Sequence, residues 1–175
     1  MKRLVLWAPL ALFVIFLAVV AVGLYAPPDR VIRSKMVGQR LPEFALPAAL
    51  PGRAPVSSRD FTRGSPRILN IFASWCVPCI AEAPHLLSLK ARGVPIDAVA
   101  IRDRSQDIAQ FLARWGDPYR NIGLDSDSRV QLSIGSSGVP ETFVVDGSGI
   151  IRHQHIGAIN EGDIATILQA YEAAK

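Results

Sequence analysis

Cys76 and Cys79, in the stretch Ala73-Ser74-Trp75-Cys76-Val77-Pro78-Cys79, are the only cysteines of the 175-residue chain. Three chemistries are open to such a pair: a structural staple, part of a metal site, or a reversible thiol–disulfide couple. As a staple it would close a loop of only four residues, which takes little entropy from the unfolded chain and adds little stability. A zinc site as a rule needs four ligands, and there is no second CxxC to supply them. His85, His153 and His155 could contribute to zinc or copper binding, although His153 and His155 alternate on a strand-like segment and are expected to face solvent. A redox couple needs a position that stabilises a thiolate, which depends on the elements around it.

Arg67–Ser74 (RILNIFAS) is an apolar run of strand length and reads as a buried central strand. It leads straight into the cysteines, and Pro78 fits the first turn of a helix, where a missing N–H costs little. That helix should continue through Ile80, Ala83 and Leu87 toward the core, with a kink at Pro84. A cysteine at a helix N-terminus sits where the dipole and free N–H groups favour the thiolate, the nucleophilic form. Cys76 is therefore expected to be the exposed attacking thiol. Cys79, one turn on along the same face, is the shielded thiol that resolves the resulting mixed disulfide.

The rest of the domain reads as alternating elements. Val94–Ile101 is a strand, and Ser105–Gly116 a helix capped by Ser105, with Ile108, Phe111, Leu112 and Trp115 inward. Thr142–Ile156 is a hairpin turning through Asp146-Gly147-Ser148-Gly149. A last helix starts near Asn160, with Glu161 and Asp163 in its first turn and Ile164, Ile167, Leu168 and Tyr171 as its apolar stripe. This order predicts an α/β fold with a mixed sheet. The net charge of +4 and pI near 9.4 come from scattered Lys and Arg residues, without the clustered stripe or interleaved aromatics of a nucleic-acid surface.

The N-terminus has a different character. Leu4–Tyr25 carries no charge and is long enough to cross a bilayer, with Trp7 and Tyr25 placed for its interfaces. A cleaved signal peptide, using Ala21-Val22-Gly23, is the other reading. The organisation expected is an anchor over 1–25, a tether over 26–39 that starts with Pro27-Pro28, and a domain over 40–175.

Trp75-Cys76-Val77-Pro78-Cys79 after a buried strand, with Pro84 five residues past Cys79, resembles the thioredoxin superfamily. That superfamily places a cis-proline loop opposite its cysteines, and Gly138–Gly157 supplies it here through Val139-Pro140. More narrowly, the N-terminal apolar run, Gly38–Pro47 (GQRLPEFALP), LNIFASWCVPC, LDSDSRV and GVPETFVVDGSGIIRHQHIG resemble the DsbE/CcmG family. These are membrane-anchored thiol:disulfide interchange proteins of bacterial cytochrome c biogenesis.

The resemblance implies a thioredoxin-like fold, a central mixed β-sheet flanked by helices, with an N-terminal transmembrane helix. It implies a periplasmic domain on a single-pass inner-membrane anchor and a redox-active Cys76–Cys79 disulfide in place of any cofactor. Trp75, Val139, Pro140 and Glu141 would form the substrate surface. The partners implied are apocytochrome c, reduced at its Cys-x-x-Cys-His haem site, haem-handling maturation proteins, and a transmembrane thiol reductase as electron donor. A reductase for another exported thiol protein, a CxxC metallochaperone and a redox-inactive peptide-docking module are the competing functions.

The chain departs from these patterns in two places. Gly135-Ser136-Ser137-Gly138 stands where the family commonly has Gly-Val-Tyr-Gly. Asn70 stands six residues before the first cysteine, where thioredoxins commonly have a buried Asp. An amide cannot take the Cys79 proton, so Glu82, one turn past Cys79, becomes the candidate acceptor, with an ordinary surface carboxylate as the alternative reading.

Overall fold

The computed structural model describes residues 2–25 and 36–175, which belong to two separate compact units divided between Arg33 and Ser34. The first unit holds one helix, α1 (Lys2–Tyr25), with Pro9 inside it. Its described side chains, Trp7 and residues 9–21, are exposed. Among the described residues no helix is long and apolar enough to cross a membrane, and those described side chains of α1 form a shorter run than the helix itself. The transmembrane role expected of Leu4–Tyr25 is therefore not shown. Of the expected tether, residues 26–35 lie outside the described residues.

The second unit is built on a five-stranded sheet in the order β5-β4-β3-β6-β7. Its central strand is β3 (Arg67–Phe72), parallel to β4 (Ile96–Ile101), which is parallel to β5 (Ile122–Asp125). On the other side β6 (Glu141–Val145) runs antiparallel to β3, and β7 (Ile151–Ile156) antiparallel to β6. Every residue of β3, β4 and β6 is buried, which is why these strands read as near-continuous apolar runs. Two of the charged exceptions are matched to each other: Arg67 Nη1 meets Asp97 Oδ2 at 3.1 Å. This is the mixed α/β sheet expected from the order of elements.

A short hairpin, β1 (Ala45–Leu46) with β2 (Val56–Ser57), covers the β5 edge. Ala49 N–H donates to Ile122 O at 2.8 Å and Leu124 N–H to Pro47 O at 2.9 Å. The approach is close at Gly123, where a Cβ would stand 2.8 Å from Leu46 Cβ and 3.2 Å from Val56 Cβ. At the opposite edge Gly38 N–H donates to Ile151 O at 2.8 Å, so residues 38 and 39 already belong to the fold.

The helices are α2 (Val77–Ala91), α3 (Ser105–Trp115), α4 (Arg129–Ser133) and α5 (Glu161–Ala173). Their details depart from sequence expectation in instructive ways. In α2 the buried stripe is Cys79, Glu82, Ala83, Leu86 and Leu89, turned by about one residue from the Ile80–Ala83–Leu87 face, so a carboxylate lies in the core stripe. Pro84 lies within α2 without ending it. In α3 the N-cap is Arg104, not Ser105, and makes no side-chain cap bond. Trp115, at the last turn, is 37% exposed rather than inward. The α5 cap is as expected: Asn160 Oδ1 accepts from Gly162 N–H at 2.9 Å and Asp163 accepts from Asn160 N–H at 2.9 Å. His153 and His155 are half-buried rather than solvent-facing, with His155 Nε2 3.7 Å from Asp163 Oδ2 on α5.

Candidate redox site

The chain leaves β3 at Phe72, turns through Ala73-Ser74-Trp75, and enters α2 with Cys76 as N-cap. Cys76 N–H donates to Ala73 O at 3.2 Å, and the backbone is extended at Cys76, as a cap requires. Val77 and Pro78 then occupy the first turn, where the missing proline donor leaves no bond unmade. Cys76 and Cys79 are joined in a disulfide with their Cα atoms 5.3 Å apart, within the ordinary range. Cys79 N–H donates to Cys76 Sγ at 3.2 Å. The same N–H, which also donates to Cys76 O at 3.1 Å, would serve a Cys76 thiolate once the bond is reduced.

Cys76 is not the exposed member of the pair expected from its position: it is 4% accessible and Cys79 2%. Closing the disulfide ties Cys76 Sγ to a residue in the core stripe of α2. The exposed surface around it is supplied by Trp75, 57% accessible, and Val77, 73% accessible.

The turn ahead of Cys76 is held by the loop after β4. Asp103 is bidentate on Ser74, accepting from its N–H at 2.6 Å and its hydroxyl at 2.8 Å. Trp75 Nε1–H donates to Arg102 O at 3.2 Å. Arg102 itself holds φ +45°, a left-handed conformation uncommon outside glycine. None of these contacts was foreseen, because Arg102-Asp103-Arg104 carries no motif and lies 26 residues or more along the chain.

One turn along α2 from Cys79 is a buried polar cluster. Glu82 has no accessible surface, contrary to the reading of it as a surface carboxylate. Its Oε1 accepts from Asn70 Nδ2 at 3.1 Å and its Oε2 from Ile159 N–H at 3.2 Å. Burial pushes its carboxyl from the ordinary 4.5 up to about 7, against the opposing pull of the Ile159 and Asn70 donors. Asn70 also donates to Thr142 Oγ1 at 3.0 Å and accepts from the Tyr119 hydroxyl at 2.8 Å. Tyr119, buried and stacked on Phe72 at 4.9 Å between ring centroids, has its phenol held well above its usual range by burial, then by the charges of Glu82 and Asp117. Tyr119 was invisible to pattern reading: it sits in the irregular stretch Asp117-Pro118-Tyr119-Arg120, and only the fold brings it to Asn70.

The proline loop lies at the same end of the sheet as the cysteines. Glu141 pairs with Ile71 across β6 and β3, so the preceding Pro140 stands level with the end of β3. The Val139–Pro140 peptide is cis. Pro140 is buried and Val139 half-buried against the core. Glu141 does not have the exposed, solvated carboxylate that one sequence reading expected. It is fully buried, accepting from Ser137 N–H at 2.9 Å and from the Gln154 side-chain amide. Its carboxylate ties down the loop that carries Ser136 and Ser137, where the usual aromatic is missing. Among the described residues no group of three or more His, Cys, Asp or Glu side chains is arranged to hold a metal ion.

A CxxC disulfide at the mouth of a helix that follows the central strand, beside a cis-proline loop on the adjacent strand, defines a thioredoxin-like thiol:disulfide oxidoreductase. The Redoxin family model matches residues 36–171. The chain is 35% identical over 161 residues to the thiol:disulfide interchange protein DsbE of Pseudomonas fluorescens biotype C, covering 92% of this chain and 89% of that one. It is 34% identical to DsbE of Escherichia coli strain K12 over the full length of both. A solved structure from Chlorobium tepidum, assigned as a thiol:disulfide interchange protein DsbE, superposes with TM-score 0.66 at 29% identity, covering 79% of this chain and 96% of that one. The chain belongs to the DsbE/CcmG family of the thioredoxin superfamily, and its activity is thiol–disulfide exchange.

Proposed function

We propose that this protein is a reductant of exported proteins whose client is apocytochrome c before haem attachment. In the reduced state the Cys76 thiolate attacks one sulfur of the client disulfide, and the other client sulfur leaves as a thiolate. Glu82 then takes the proton from Cys79, whose thiolate attacks Cys76 Sγ and releases the second client thiolate. The client gains two electrons and the Cys76–Cys79 disulfide closes. A transmembrane thiol reductase returns two electrons to reopen it.

The observation that carries the acid–base part is the buried Glu82 carboxyl, one helical turn from Cys79 on the same buried face, poised at about 7. Trp75 and Val77 would offer the exposed apolar rim for a client strand, with Val139-Pro140 along its other side. The choice of apocytochrome c rests on the resemblance to DsbE/CcmG proteins. Membrane attachment through Leu4–Tyr25, with the domain in the bacterial periplasm, rests on that resemblance and on the length of the uncharged run.

A Cys79→Ser variant made in cells that produce c-type cytochromes tests the client. It should accumulate a mixed disulfide on Cys76, and mass spectrometry should find a Cys-x-x-Cys-His peptide attached. Adducts only with other exported thiol proteins would move the assignment to those clients.

A further inference from the structure

The mechanism above uses Glu82 but leaves Tyr119 without a task, although it is a buried phenol bonded into the same cluster. We infer that Tyr119 is a positioning residue: by donating its hydroxyl proton to Asn70 Oδ1 it fixes the Asn70 amide so that Nδ2 faces the Glu82 carboxylate.

An asparagine amide can be turned end for end with little change in shape, and its orientation is set by its partners. In the observed arrangement all three partners agree. Oδ1 receives the Tyr119 hydroxyl at 2.8 Å, while Nδ2 serves Glu82 Oε1 at 3.1 Å and Thr142 Oγ1 at 3.0 Å. Turning the amide would set Oδ1 against the Glu82 carboxylate and leave the buried Tyr119 O–H without its acceptor, and each is costly away from water. Thr142 cannot enforce this choice, because a hydroxyl donates or accepts equally well. The Tyr119 phenol, held far above its usual ionisation range by burial, stays a proton donor across the working pH range.

Tyr119 is itself held in place. Its N–H donates to Asp117 Oδ1 at 3.1 Å, its carbonyl accepts from Arg53 Nη1 at 3.0 Å, and its ring stacks on Phe72. The groups facing Glu82 are Asn70 from β3 and the Ile159 N–H ahead of α5, with the disulfide-bonded Cys79 one turn back on α2. Tyr119 and Thr142 reach it through Asn70, and Asp117, ion-paired with Arg53, acts on Tyr119. The phenol and the ionised carboxylate thus select the same amide orientation, and the phenol continues to select it when Glu82 is protonated.

This inference deepens the proposed acid–base role of Glu82, but its test reads the carboxyl directly. The Glu82 side-chain carbon would be followed by NMR across pH in the full-length oxidised protein, labelled with carbon-13 and held in detergent. Tyr119→Phe keeps the ring and removes only the hydroxyl. It should move the Glu82 midpoint upward by about one pH unit, the size of a lost hydrogen bond to a charged group. Asn70→Ala should move it in the same direction, and adding Tyr119→Phe to that variant should move it no further. An unchanged midpoint in Tyr119→Phe, or an effect that adds to Asn70→Ala, would overturn the inference. A midpoint that moves while the pH profile of mixed-disulfide resolution stays still would uphold Tyr119 and remove Glu82 from the reaction.

Discussion

At the scale of single residues, the proposed proton transfer turns on a carboxyl that the fold keeps out of water. Glu82 accepts from only two N–H groups, and they do not offset its burial, so it stays protonated until about pH 7. That has a stability consequence with a definite sign. The folded protein holds a proton here that the unfolded chain releases near 4.5, so the contribution is fully present below that pH and is lost as pH rises through 7. The size is about 3 kcal/mol. Urea unfolding of wild type and Glu82→Gln at several pH values between 4 and 8 should show the variant gaining on the wild type by about that amount as pH rises. Parallel curves would mean that Glu82 does not titrate in this window. The candidate role of Glu82 was legible from spacing, since Asn70 cannot take a proton and Glu82 lies one turn past Cys79. Its burial was not, because the apolar pattern of α2 pointed to a face about one residue away. Tyr119, Asp103 and the Glu141–Ser137 bond were not legible at all. Tyr119 and Asp103 reach segments far apart in sequence, and the Glu141–Ser137 bond lies within an irregular loop, so none of the three leaves a periodic trace.

At the scale of elements, the strands that build the sheet interior announced themselves as apolar runs, and the hairpin and the α5 cap through their turn and capping residues. The pieces that went unread are short. The two-residue strands β1 and β2 and the four-residue β5 are too brief to show a period, and α4 has five residues. Yet the β1–β2 hairpin closes the β5 edge and is fitted tightly there. A Cβ at Gly123 would be driven into Leu46 and Val56 at their own Cβ atoms, which cannot swing aside as a side-chain tip could. Gly123→Ala should therefore lower stability by about 1–3 kcal/mol through forced overpacking. Denaturant unfolding measures the loss, and amide exchange should show that the weakening is centred on residues 45–57. A neutral substitution would mean that the hairpin shifts freely.

At the scale of the whole molecule, the chain divides into α1 and a redox domain that holds every residue assigned to the site, from Asn70 to Ile159. A chain starting at Ser34 should fold and reduce a model disulfide at the rate of the full-length protein, with α1 contributing location and local concentration. A large loss of turnover in the truncated chain would mean that α1 takes part in the chemistry. In the proposed division of labour Cys76 attacks, and Cys79 resolves after giving its proton to Glu82. Rapid-mixing kinetics of the resolving step, starting from a mixed disulfide preformed on Cys76, test it most directly across pH 5 to 9. Wild type should resolve faster as pH rises, with a midpoint near 7, the value at which Glu82 becomes a base. Glu82→Gln should lose that midpoint and resolve about 100-fold more slowly at neutral pH, the usual lower range for loss of a general base. Superimposable curves for the two proteins would contradict the account.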